Sequence, residues 1–276
     1  MAQMTISKSD LLTLLKRTQR LATINGKQIS QVHGTILEVG NGEVRTFSIV
    51  RDGTSSISTF SCDVASHNEG EIPVSDIALL IGALSKHGSE VDISFHDGKI
   101  RIKSAHKQTT LQSSAESKAF SHTKKTLKEW CADSKTRFKH CIETNTEHYT
   151  MKNGDFVEPS FKVRLDSQHL CSAIESGTMN GQKVEHYKFY TADQKMFVEV
   201  GAVGKGKTKT LLHEAVSGGL PISNIGGGLE NVLRTVNGEV FLAFFDLTPF
   251  GGGMSLRLSF NGGCVFQREV HGHASN

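Results

Sequence analysis

The chain has 276 residues, 37% hydrophobic and 21% charged, which fits a globular chain able to bury a core and excludes a disordered one. Thirty-one Lys and Arg against 28 Asp and Glu leave a net charge of +3, so no global basic field marks it for nucleic acid. The longest apolar run, Ile77–Leu84, is too short to cross a bilayer, and the N-terminus lacks a secretory pattern, so a cytoplasmic protein without a membrane partner is expected.

Met4 and Ile6 alternate with polar residues as a half-buried strand does. Ser9 or Asp10 is placed to cap a following helix whose Leu11, Leu14, Leu15 and Thr18 share one face. Asn25-Gly26 is expected to stop that helix, since both residues tolerate the left-handed conformation. Strands over 35–39, 44–50 and 56–62 follow, separated by the turn sequences Gly40-Asn41-Gly42 and Arg51-Asp52-Gly53. Residues 72–77 read Ile-Pro-Val-Ser-Asp-Ile and lead into a second helix. Strands over 91–95, 99–103 and 109–112 come next, the first two joined by His96-Asp97-Gly98.

Residues 113–159 differ in character. They carry Lys118, Lys124, Lys125, Lys128, Lys135, Arg137 and Lys139 interspersed with Phe120, Leu127, Trp130 and Phe138, with an amphipathic helix predicted over 123–134. We read a long connector here.

The order then repeats. A strand over 161–165 precedes a helix that Asp166 or Ser167 can cap, with Leu170, Ala173 and Ile174 on one face and Asn180-Gly181 beyond it. Strands over 187–191, 196–203 and 208–216 follow, then Leu-Pro-Ile-Ser-Asn-Ile at 220–225. Gly226-Gly227-Gly228 delays the fourth helix to near Leu229. The two hexapeptides lie 220 − 72 = 148 residues apart, and the strands after the two helices 240 − 91 = 149 apart. Thr23-Ile24-Asn25-Gly26 recurs as Thr178-Met179-Asn180-Gly181 at an offset of 155. Matches in the same order argue for duplication. The expected organisation is an α+β chain with similar domains at 1–112 and 160–276 joined by the connector 113–159.

Five scattered cysteines without a C-x-x-C pair, and 13 histidines without H-E-x-x-H, predict neither a disulfide framework nor a metal site. No nucleophile elbow or metal triad emerges, so no catalysis and no cofactor are expected.

Two domains, each of two strand-helix-strands units, resemble the DNA sliding clamps. Residues 72–104, 107–113 and 220–245 carry the resemblance. It implies a ring of six such domains around duplex DNA, with helices lining the hole and sheets outside. A two-domain chain then implies a homotrimer, as in clamps of the PCNA and phage type, whereas three-domain bacterial clamps are dimers. It further implies double-stranded DNA, a DNA polymerase and a clamp loader ATPase as partners, and a processivity role.

Phosphate contacts in such a ring should be weak and blind to sequence. Lys16, Arg17 and Arg20 fall opposite the leucines of the first helix; Lys27 and Lys183 follow the Asn-Gly stops; Lys86 and Arg234 come late in the second and fourth helices. These seven are the expected DNA contacts. The third helix offers only Gln168, His169 and Ser172 with an acidic Glu175, so the charge of the hole is expected to be uneven. Phe47, Ile49, Phe250 and Phe266 are the candidates for partner docking.

A competing signal is residues 201–208, Gly-Ala-Val-Gly-Lys-Gly-Lys-Thr, which fit the phosphate-binding loop G-x-x-x-x-G-K-[ST]. Only 68 residues follow Thr208, too few for the remaining parallel strands and crossovers, and Gly-Lys-Gly-Lys also suits a hairpin turn. A monomeric DNA-binding processivity factor with the connector as its basic arm is the third reading.

Overall fold

The computed structural model describes residues 2–24, 27–50, 56–113, 148–150, 156–176, 186–201 and 206–269. The chain divides into two units. One comprises Met1–Arg20, Ser30–Ile49 and Ile57–Lys128, the other Leu21–Ile29, Val50–Ser56 and Glu129–Asn276.

In the first unit, β1 (Gln3–Ser7) buries Met4 and Ile6 and turns its alternate residues outward. It runs straight into α1 (Lys8–Gln19), with Ser7 as the capping residue rather than Ser9 or Asp10. Leu11, Leu14, Leu15 and Thr18 are buried, as their spacing predicts. The helix ends at Arg20, which takes the left-handed conformation (φ 47°) and donates its N–H to Lys16 O at 3.3 Å. The expected stop at Asn25-Gly26 is therefore wrong; those two residues lie outside the described ones.

A ribbon of β2 (Leu21–Ile24) and β3 (Lys27–Ser30) follows. Next come β4 (Thr35–Gly40), β5 (Glu43–Val50), β6 (Ser56–Asp63), β7 (Ser66–Asn68) and β8 (Gly70–Val74). Asn41 (φ 54°) and Gly42 (φ 77°) make the tight β4–β5 turn. Asp76 caps α2 (Ile77–Leu84) by accepting from Leu79 N at 2.9 Å. Then β9 (Glu90–His96), β10 (Lys99–Ser104) and β11 (Lys107–Gln112) form a meander. The strands lie in two groups, β6-β5-β4-β8 and β11-β10-β9-β1-β7. Helices α1 and α2 pack on each other, and Thr18 Oγ1, buried 2.7 Å from Thr46 Oγ1, ties α1 to β5.

Besides Leu21–Ile29 and Val50–Ser56, the second unit contains a ribbon of β12 (Tyr149–Thr150) and β13 (Phe156–Val157). It continues with β14 (Phe161–Asp166) and α3 (Ser167–Glu175), whose cap is Asp166, accepting from His169 N at 2.8 Å. Then follow β15 (His186–Ala192), β16 (Lys195–Gly201), β17 (Lys207–His213), β18 (Ser223–Gly226), α4 (Glu230–Leu233), β19 (Glu239–Asp246), β20 (Met254–Phe260) and β21 (Gly263–Arg268). The groups are β17-β16-β15-β18 and β14-β19-β20-β21. Apart from the β2–β3 and β12–β13 ribbons and β7, this is the order of the first unit: β1 answers to β14, α1 to α3, β4–β6 to β15–β17, β8 to β18, α2 to α4, and β9–β11 to β19–β21.

One detail of the repeat is corrected. Ile72, Pro73 and Val74 lie inside β8, whereas Leu220, Pro221 and Ile222 precede β18. The strand ends are 226 − 74 = 152 residues apart, but the helix caps Ser85 and Arg234 only 149. The hexapeptide match is thus out of structural register, and the glycines absorb the difference. They also shorten α4 to four residues with Leu229 as its cap, the late start the sequence suggests.

From Val240 to Phe245, β19 is buried on both faces. Phe244 meets Phe161 and Phe189 on one side, while Phe241, Ala243 and Phe245 face Tyr149 and Phe266 on the other. Among the described residues no helix is long and apolar enough to cross a membrane.

Candidate nucleic-acid interface

On α1 the predicted basic stripe is only partly present. Lys16 is exposed and Arg17 half-buried, its guanidinium pulled below its usual range by burial but still charged near neutrality. Arg20 is 1% exposed: the left-handed turn takes it out of the helical stripe and into the unit. Lys86, just beyond the cap of α2, is exposed. Lys183 lies outside the described residues, as does the side chain of Lys27.

The helix face of the second unit is close to neutral. The outward residues of α3 are Gln168, His169 and Ser172, none of them Lys or Arg. Arg234, capping α4, donates through Nε to Glu175, and this hydrogen bond raises its pKa above the usual arginine range. Among the described residues, Lys16 and Lys86 are exposed in the first unit, while Arg234 of the second is engaged by Glu175.

The partner-docking candidates separate. Phe47 is 1% and Phe266 2% exposed, so both are core. Phe266 lies 5.4 Å from the Tyr149 ring, in a cluster with Phe241, Phe245, Leu247 and Cys264. Val157 packs against the same cluster. Nothing local in the sequence marks Tyr149, because its neighbours belong to β19 and β21. Phe250 is 54% exposed in a 3-10 turn (Thr248–Phe250) that Pro249 helps to set. The side chain of Ile49 lies outside the described residues.

The described ends of the loop-like match at 201–208 are strands. Gly201 closes β16 and Lys207 opens β17, paired antiparallel as Gly201↔Lys207 and Val200↔Thr208. A phosphate-binding loop requires its Lys and Thr to open a helix; here they begin a strand. The glycines have a hairpin explanation: a Cβ on Gly201 would lie 2.5 Å from Gly206 O, and Gly206 sits at φ 94°. Lys207 Nζ is 3.0 Å from Glu199 Oε1. Among the described residues no group of His, Cys, Asp or Glu could hold a metal ion, and Cys62, Cys171 and Cys264 are not in disulfides.

Each unit thus places two mutually packed helices beside two antiparallel strand groups, in an order that repeats within the unit and between units. That is the architecture of the DNA sliding clamps, and solved clamp structures superpose on the whole chain. A putative DNA polymerase III beta subunit from Eubacterium rectale is 13% identical with a TM-score of 0.64, covering 99% of this chain and 66% of its own. The beta subunit from Thermotoga maritima gives 11%, 0.67, 99% and 65%. The sliding clamp from Pseudomonas aeruginosa gives 14%, 0.66, 100% and 66%. The chain spans about two thirds of the length of these clamps. No family model and no curated protein matches the sequence.

Proposed function

We propose that the protein is a DNA sliding clamp, which encloses duplex DNA and holds a DNA polymerase on its template without chemistry of its own. The observation that carries this reading is the repeated strand-helix-strands order, matched over the whole chain by solved clamps. Six clamp domains make a ring in this family, so a chain with two supplies it as a homotrimer joined head to tail. The exposed edge of β11 suits such a joint. Ser113 N donates to Gly98 O at 2.8 Å, which sets the alternation so that the amides of Gln108, Thr110 and Gln112 point away from β10.

Duplex DNA would pass the helices, touched by Lys16, Arg17 and Lys86, with Lys27, which opens β3, and Lys183 as further candidates. Arg234 contributes less while Glu175 holds it, and Arg20 is a structural residue. Contacts this few leave the duplex free to slide and are screened by salt. Phe250 is the exposed apolar anchor for a polymerase, and a clamp loader ATPase opens the ring.

The test has two stages. Light scattering should give three copies of 30.1 kDa, or 90.3 kDa. Protein loaded on a nicked circular plasmid should then survive high salt and leave once the plasmid is linearised. A monomer at every concentration, or release unaffected by DNA ends, removes the ring and leaves a monomeric binder held by salt-sensitive contacts alone.

A further inference from the structure

We propose that the face of β15–β16–β17 turned away from α3 is a platform for single-stranded nucleic acid. Tyr187, Phe189, Met196, Val198, Val200 and Leu212 point into the unit and are buried. The alternate residues form the opposite face in register. One row is Lys188, Glu199 and Lys209; the next is Tyr190, Phe197 and Leu211. The Tyr190 and Phe197 rings stack at 5.7 Å and 27°, half-exposed. Lys209 Nζ sits 4.0 Å from the Phe197 centroid and 5.4 Å from that of Tyr190, with Lys188 Nζ 5.5 Å from Tyr190. Lys207 opens β17 on the same face.

Three lysines surround one carboxylate. Glu199 is held below its usual pKa first by the hydrogen bond from Lys207 and further by Lys188 and Lys209, so it stays ionised and the face keeps a net positive charge. Aromatic rings flanked by mobile cations on a sheet match a chain that offers both flat bases and phosphates. A duplex hides its base faces, and an acidic peptide has no use for the rings. A stacking base takes the ring surface that Lys209 now covers and frees that ammonium for a phosphate. The Lys207-Thr208-Lys209 end of the sequence that imitates a nucleotide loop thereby acquires a role: as the start of β17 it carries Lys207 and Lys209 on this face. The inference goes beyond the clamp reading and does not need a closed ring.

Fluorescence anisotropy of a short labelled oligo-dT with the full-length protein tests it, because a ring cannot stay threaded on so short a linear strand. Phe197→Leu should weaken binding about tenfold with the salt dependence unchanged, the loss of one stacked base. Lys209→Gln, a surface change that leaves thermal unfolding as in the wild type, should lower the logarithmic salt slope by about 0.7. Lys16→Ala with Lys86→Ala should leave oligonucleotide binding intact. No binding, binding indifferent to both sheet variants, or binding lost only with the helix variants overturns the platform. So does equal competition by polyglutamate that ignores Phe197→Leu, which would mark an acidic-peptide site. A monomeric mass would end the ring and leave this result readable.

Discussion

His87 lies just beyond α2 and is 5% exposed, its Nδ1 3.0 Å from Ser104 Oγ and its Nε2 2.9 Å from Thr109 Oγ1. Burial lowers its pKa, and the nearby charges of Lys107 and Lys8 lower it further. The folded state therefore prefers the neutral ring. Its contribution to stability is complete above the unfolded value of about 6.5 and declines as pH falls through that value towards the lower folded one. Urea unfolding of wild type and His87→Gln should converge as pH drops from neutrality to about 5; parallel curves would mean that His87 does not titrate there. A second buried group, Tyr187, donates to Glu230 while Gly228 N donates to its hydroxyl at 2.9 Å, pinning the glycines ahead of α4. Burial first, then the Glu230 charge, raises its phenol pKa well above the usual value, so it remains a donor. Tyr187→Phe leaves Glu230 short of a donor and should cost about 1–3 kcal/mol, read as a lowered urea midpoint at unchanged slope. At this scale the sequence was only partly legible. The exposure of Lys16 could be read from helical spacing, but Lys86 falls past the end of α2, and the burial of Arg20 depends on a left-handed arginine that no Gly or Asn announces.

Elements were more legible where local chemistry and tertiary packing agree. Asn41-Gly42 and Asp97-Gly98 adopt positive φ and close their hairpins, and Asp166 caps α3. The alternation in β1, β9, β10 and β14–β16 appears as alternating burial. Legibility fails where glycines stretch the chain, as between β18 and α4, and where strands are short and polar, as in β7 (Ser-His-Asn). The predicted helix over 123–134 and the Arg51-Asp52-Gly53 turn lie outside the described residues. In β11, burial hardly alternates because most of its residues face solvent. Thr110→Pro there removes an amide pointing away from β10 and keeps the β10 ladder. If the chain closes as the proposed trimer, this change should abolish the 90.3 kDa species expected in light scattering while far-ultraviolet circular dichroism stays as in the wild type. A trimer that survives the proline would place the joint elsewhere.

For the molecule as a whole, the duplication was readable from the sequence because two copies of one order can be compared, even though the hexapeptides that reveal it are out of register in space. The placement of Tyr149 over β19 and β21 was not, since it joins residues distant in sequence through packing alone. In a chain of net charge +3, the exposed lysines among the described residues lie on α1 (Lys16), just past α2 (Lys86) and on strands such as β17 (Lys207, Lys209). In the proposed ring, the edge of β11, unpaired among the described strands, has a consequence for growth. A surface that accepts an identical chain on one side and offers the complementary side to the next has no built-in end point. Only the rotation between successive copies decides whether the third meets the first or the series runs on. A substitution that alters this angle but spares the hydrogen-bonding edge should therefore give filaments rather than monomers, visible by negative-stain electron microscopy.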